Sequence, residues 1–271
     1  MVLRGLLIAA GGFVFIFSPG LPIGLLSRHS SPVKRDLIYW GMGLWLVTLL
    51  PSLFIQSLLR QILYGNEVPR QLSGQPVDYV LTLSSAVISA LLVQGAMLLV
   101  LRRQRVEEDV LPRNGLALGF GLGFMAQLFT GLGLVGAGFR LMFGDTSTPT
   151  LANLAQAGYL GLLLGLLPLI LFRLARFMVS AIQGVLVGRA LGERWRFFWL
   201  AVLVDATFVW AILALQLAIG GERPGQLLLG VTDSLTSGLT ILYYILAFFL
   251  AYRLLLAHKP VWGQASYKRK D

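Results

Sequence analysis

The sequence predicts an all-α fold, a polytopic bundle of transmembrane helices that forms a single integral membrane domain. Hydrophobic residues make up 56% of the 271 residues and charged residues only 13%, against roughly 45–50% and about 25% in an ordinary soluble domain. The mean hydropathy is +0.77. A soluble fold could not cover so much apolar surface with so few charges. We therefore expect lipid to surround most of the chain.

Seven apolar segments are long enough to cross a bilayer, which takes about 20 residues for a hydrocarbon core of roughly 30 Å. The first segment has no small-residue cleavage site of the usual form, so it is interpreted as a retained span. The predicted spans are residues 2–26, 37–63, 79–101, 115–139, 151–171, 197–219 and 234–256, followed by a basic cytoplasmic tail at 257–271.

Residues 173–188 are harder to assign, because Arg173 and Arg176 stand where a tight turn would have to lie. Lys and Arg accumulate in cytoplasmic loops. If 173–188 does not cross, one side of the membrane collects 17 of the 22 Lys and Arg residues, whereas a crossing divides them 10 to 12. This favours seven crossings plus a re-entrant or short helix at 173–188, with eight helices as the alternative. The N-terminus is then outside and the C-terminus cytoplasmic, in a bacterial cytoplasmic membrane.

Composition also excludes several kinds of chemistry. The net charge is +10, but the basic residues flank the apolar segments, which predicts contact with membrane lipids and no binding of nucleic acid. There is no cysteine, so thiol catalysis is excluded. The two histidines, His29 and His258, lie outside the spans, which leaves no histidine pair for a zinc site and no imidazole to activate a buried serine. Neither a metal nor a cofactor is predicted.

Glycines recur on the fourth predicted span. Gly115, Gly119 and Gly123 fall four residues apart on one helix face, which favours close helix packing. A glycine-lined passage for a ligand is the alternative. Four more glycines follow on the same segment: Gly131, Gly133, Gly136 and Gly138.

Asp205 is the one carboxylate well inside a predicted span. An Asp at the centre of a membrane helix costs ~2.5–3.5 kcal/mol on insertion scales, so its side chain should face protein or water. In one interpretation Asp205 pairs with Arg173 or Arg176 and fixes the helix register. In the other it acts directly on a substrate or a proton.

Neutral polar residues in the apolar segments define a second set of candidates. Hydrogen bonds between helices, worth roughly 0.6–2 kcal/mol, explain such residues without a ligand. A shared polar binding cavity, with Arg176 in it, is the alternative. The candidates are Gln94, Gln127, Gln183 and Asn153.

Four stretches, LLVQGAMLLVLR, LALGFGLGFMAQLFTG, LARFMVSAIQGVLVGRAL and LAVLVDATFVW, resemble in order and spacing the YhfC-like branch of the glutamic-type intramembrane proteases. These are relatives of the prenyl-protein endopeptidases and the PrsW-like proteases. The family pattern is a Glu-Glu-x-x-Arg, a glycine-rich helix with a polar residue, a Glu-Arg followed by a His, and a His near an Asp. The resemblance covers most of the chain and implies the fold of an intramembrane endopeptidase.

The chain departs from that pattern at the catalytic positions. Gln94 stands in the Glu-Glu position and Gln183 in the position of the first His, while Gln127 is the polar residue of the glycine-rich helix. Arg176 matches the Arg of the Glu-Arg pair, and Asp205 corresponds to either the last His or its Asp. Glutamine resembles glutamate in shape but does not take a proton from water. The resemblance therefore implies a site that has lost its carboxylates.

The leading functional hypothesis is a catalytically inactive relative of these proteases that binds a membrane peptide or a lipid, or that serves as a subunit of a larger membrane complex. Two alternatives stay open. One is an active intramembrane peptidase in which Asp205 activates water. The other is a small transporter or permease in which Asp205 couples transport to a proton or an ion.

Overall fold

The computed structural model describes residues 1–20, 35–65, 75–103, 110–156, 158–220 and 234–257. All regular secondary structure in these ranges is helical. The helices are α1 (Val2–Phe17), α2 (Arg35–Tyr64), α3 (Pro76–Arg103), α4 (Leu111–Met142), α5 (Pro149–Gln156), α6 (Tyr159–Gly192), α7 (Arg196–Gly220) and α8 (Ser234–Ala257).

Five of these helices, α2, α3, α4, α6 and α7, are long and apolar enough to cross a membrane. Helix α1 and the described apolar stretch of α8 are shorter, at 10–17 residues. The predicted all-α class and the presence of several candidate membrane helices are therefore confirmed. The predicted tail at 257–271 and the end of the first predicted span lie almost entirely outside the described residues.

The structure differs from the sequence prediction at residues 151–188. Residues 149–156 form the separate short helix α5, and residues 173–188 are the second half of one continuous helix, α6, with no re-entrant element. Helix α6 has 34 residues, a length of about 51 Å. The sequence predicts a break because Arg173 and Arg176 stand where a tight turn would have to lie. In the folded chain Arg176 meets a carboxylate inside the bundle, so the helix continues through it.

Helices α4 and α6 form the centre of the bundle. Of their most apolar stretches, 56% and 47% of the residues are buried, against 17% for α2. The two helices run antiparallel, since Gly115 lies against Gly184 and Gly119 against the backbone of Ser180. A methyl group at Gly115 would overlap the Gly184 carbonyl. The predicted small face therefore allows direct contact between the two backbones.

Helix α1 packs against the other half of α4 in the same manner. A Cβ atom added at Gly138 would lie 2.6 Å from the Gly5 carbonyl oxygen, and one at Gly131 would lie 2.7 Å from that of Gly12. The packing interpretation does not extend to Gly133 and Gly136, where an added Cβ would meet nothing within 4 Å. Helix α4 therefore packs on α6 with its N-terminal half and on α1 with its C-terminal half.

Candidate functional site

Asp205 and Arg176 form an ion pair between α7 and α6. The Arg176 Nη1 atom donates to the Asp205 Oδ1 atom. The side chain of Asp205 is 3% exposed and that of Arg176 is 18% exposed. Each residue lies near the middle of its helix, where an unpaired charge would be most costly. Of the two partners considered for Asp205, the structure therefore identifies Arg176.

Gln94 extends this pair to a third helix, α3. Its Nε2 atom lies 3.4 Å from the Asp205 Oδ2 atom, at the long end of the range for a hydrogen bond. Gln94 is fully buried, and its Oε1 atom has no hydrogen-bond partner. The carboxylate thus accepts from two helices, while one acceptor of Gln94 remains unused.

Gln127 belongs to a different contact, between α4 and α6. Its Nε2 atom donates to the backbone carbonyl of Arg173 at 2.9 Å, and its Oε1 atom accepts from the Ser18 hydroxyl at 3.5 Å. Both ends of this amide are used, although the second bond is at the distance limit. Gln127 thus behaves as the helix-packing contact that was considered for the polar residues.

Polar side chains form a stripe along α6. Arg173, Arg176, Ser180 and Gln183 lie within an arc of about 80° on the helix surface, because each residue advances by roughly 100°. Ser180 and Gln183 are 0% exposed. The Ser180 hydroxyl and both polar atoms of the Gln183 amide have no hydrogen-bond partner. Since buried polar groups are almost always paired, these atoms need an explanation.

The side chain of Arg173 occupies the outer end of this stripe. Its guanidinium carbon lies 5.1 Å from the centre of the Phe172 ring, in a cation–π contact. Its Nε atom is buried without a hydrogen-bond partner. Phe172 is itself packed between Phe208 of α7 and Tyr244 of α8. The Arg173 cation therefore lies against one ring of an aromatic cluster formed by α6, α7 and α8.

The structure thus describes the side chains of five of the six predicted site residues. Arg176 and Gln94 each contact Asp205, and Gln183 lies two turns along α6 from Arg176. Gln127 is bonded to the α6 backbone instead. Asn153 is placed on α5, but its side chain lies outside the described part of the chain. In the described ranges, no group of three His, Asp or Glu side chains is arranged to hold a metal ion.

Arg173 is the residue that sequence reasoning misplaced most clearly. The sequence places Arg173 at the start of a re-entrant or short helix at 173–188, yet the residue lies near the middle of α6. A signal was present, because the eleven residues from Arg173 to Gln183 contain neither glycine nor proline, so nothing in them would end a helix.

No family model matches the chain, and no curated protein and no solved structure is significantly similar to it.

Proposed function

We propose that this protein is an integral membrane protein that binds a membrane peptide or lipid in the polar interior formed by α3, α6 and α7, and that does not hydrolyse it. We also propose that the chain is a relative of the YhfC-like intramembrane proteases. The observation that supports binding most strongly is Gln183, whose amide is fully buried with both polar atoms unpartnered. Hydrogen-bonding capacity that the protein leaves unused is available to a ligand or to water.

The cost of leaving these groups unpaired argues for a functional role. A buried donor or acceptor without a partner costs about 1–3 kcal/mol. Gln183, Ser180 and the Gln94 oxygen together contribute several such groups within one region. Departures of this kind from the rule of satisfied polar groups concentrate at functional sites. A ligand that formed hydrogen bonds to these unpaired groups would remove this cost, which would add to the free energy of binding.

The ion pair of Asp205 favours binding without hydrolysis. A general base must take a proton from water, which requires a carboxylate that is free to accept it. Asp205 is ion-paired with Arg176 and also approached by Gln94. Among the described residues, none of the hydrogen bonds or ion pairs of Asp205 involves a second carboxylate. The peptidase alternative would therefore require Asp205 to leave its cationic partner.

The proposal includes an arrangement of seven crossings, with α1 and α8 completing the five long helices. The continuous helix α6 would cross the membrane once. The number of crossings is therefore the same as for the predicted span at 151–171 followed by a non-crossing segment at 173–188. Once Arg173 and Arg176 are counted inside the helix, 15 Lys and Arg residues remain on one side and 5 on the other. This bias supports an N-terminus outside and a C-terminus in the cytoplasm, and the proposal includes a bacterial cytoplasmic membrane.

The experiment uses the absence of cysteine from the chain. Single cysteines replace Gln94 and Gln183, and their reaction in native membranes is measured with a membrane-impermeant thiol reagent applied from either side. Ala117→Cys, fully buried on α4, is the unreactive control, and Glu193→Cys, exposed after α6, is the reactive one. We expect both glutamine positions to react from the cytoplasmic side. Reaction no faster than at Ala117 from both sides would show a closed interior and refute binding.

A further inference from the structure

The interior of the bundle contains two arginines and one aspartate within a short distance. Arg173 and Arg176 are three residues apart on α6, so their side chains leave neighbouring points of one helix face. Arg176 is paired with Asp205. In the part of the chain that the structure describes, Arg173 forms no ion pair.

The other described carboxylates are committed elsewhere. Asp78 accepts from Tyr64, Asp145 pairs with Arg140 and Glu193 lies 3.7 Å from Arg189. The last one, Asp36, is exposed at the start of α2. The centre at Arg173, Arg176 and Asp205 therefore carries one positive charge more than it can neutralise from these residues.

A guanidinium in this position has few ways to become neutral. Arginine keeps its proton in proteins, so it cannot discharge itself as a lysine or a carboxylate does. The Phe172 ring stabilises the cation from one face, but a ring supplies no hydrogen-bond acceptor. The buried Nε atom of Arg173 still lacks one. An anionic ligand would supply both the missing charge and the missing acceptor.

Arginine geometry favours a tetrahedral anion with several oxygens. The planar guanidinium donates two parallel N–H bonds to phosphate, and two arginines one turn apart can share its oxygens. The pair with Asp205 uses Arg176 through Nη1, and a guanidinium has five donors in all. Ser180 adds an unpartnered hydroxyl on the same stripe of α6.

We propose that Arg173 and Arg176 bind the phosphate group of a ligand from the membrane, with the Asp205 carboxylate holding Arg176 in place. This inference rests on the proposed binding function and names the chemical class of the ligand. The phosphate is recognised through its charge and its oxygens, and the acyl chains of a phospholipid would lie against the apolar faces of the surrounding helices. Asp205 is then a positioning residue.

The test measures phosphate binding by the purified full-length protein in a non-ionic detergent, using native mass spectrometry. The probes are phosphatidic acid, diacylglycerol with the same acyl chains, and inorganic phosphate as a competitor. The variants are Arg173→Gln, Arg173→Lys and the matched control Arg253→Gln, which changes an exposed arginine on α8. Arg173→Lys keeps the charge, so it controls for misfolding of Arg173→Gln.

The wild type and Arg253→Gln should bind one phosphatidic acid with equal affinity and should not retain diacylglycerol. Arg173→Gln should weaken that binding by at least about tenfold, and Arg173→Lys by less, because lysine lacks the paired donors. Displacement by inorganic phosphate would show that the phosphate group alone is recognised, and retention against it would show that the lipid is required. Both results support the site.

Equal binding by the wild type and both Arg173 variants would overturn the phosphate site, as would equal retention of diacylglycerol. Such a result leaves the proposed function standing if the cysteines at Gln94 and Gln183 still react with the thiol reagent. Absence of that reaction would instead refute the binding function itself. The two failures are therefore distinguishable.

Discussion

Removal of the Asp205 carboxylate should destabilise the protein strongly, because it leaves Arg176 in the bundle without its counter-ion. Breaking a buried ion pair by removing one partner costs about 3–5 kcal/mol. Arg176 retains 18% exposure and lies 5.9 Å from the Phe208 ring, so the lower end, about 3 kcal/mol, is expected for Asp205→Ala. Arg176→Met should cost less, since the remaining carboxylate can take up a proton whereas a guanidinium keeps its own.

The assay is unfolding in mixed detergent and SDS micelles, followed by tryptophan fluorescence. A double variant, Asp205→Leu with Arg176→Met, removes both charges and should unfold at a free energy close to that of the wild type. The pair would then contribute specificity rather than stability. If Asp205→Ala lost less than about 1 kcal/mol, or if the double variant were as unstable as the worse single variant, the buried ion pair would not exist as described.

Two further results are expected from the same fold. Gly119→Ala should lose about 1–3 kcal/mol in the unfolding assay, because its methyl group would overlap the Ser180 backbone. The methyl group of Gly133→Ala, on the same helix, meets nothing within 4 Å, so this variant should be neutral or gain up to about 1 kcal/mol. Equal effects of the two substitutions would contradict the α4–α6 contact. Outside the membrane helices, the pKa of Asp145 is lowered from 3.8 to about 2 by the Ser147 backbone N–H, then by its hydroxyl and by Arg140. The contribution of the Asp145 carboxylate to stability is therefore present above pH 3.8 and lost as the pH falls through about 2. In Arg140→Gln, NMR titration should show the pKa of Asp145 shifted upwards. An unchanged pKa would contradict the contact with Arg140.

Hydropathy and length predicted the helices well because each membrane helix satisfies its own backbone hydrogen bonds. Helix α7 at Arg196–Gly220 and helix α8 at Ser234–Ala257 cover the segments predicted at 197–219 and 234–256. The spacing of Gly115 and Gly119 likewise predicted a packing face, because a period near four is a property of the helix itself. Local sequence suffices for features of this kind.

The middle of α6 could not be predicted in this way. Arg173 and Arg176 are charged, and charge in an apolar run normally marks the end of a span. Whether a charge can remain inside depends on a partner distant in sequence, here Asp205, which is 29 residues away from Arg176. A single sequence contains both residues but does not show that they meet. The two glutamines differ for the same reason, since Gln127 finds partners on other helices and Gln183 finds none.

The stability of Gln183→Leu relative to Gln127→Leu tests most directly whether the buried Gln183 amide is kept for a ligand. If the Gln183 amide is kept for a ligand, its replacement by an apolar side chain of similar size removes an unpaired buried group. We expect Gln183→Leu to unfold at the same free energy as the wild type or a higher one. Gln127→Leu, which breaks existing hydrogen bonds, should lose about 1 kcal/mol or more. Destabilisation of Gln183→Leu as large as that of Gln127→Leu would show that Gln183 is a structural contact and not part of a binding site.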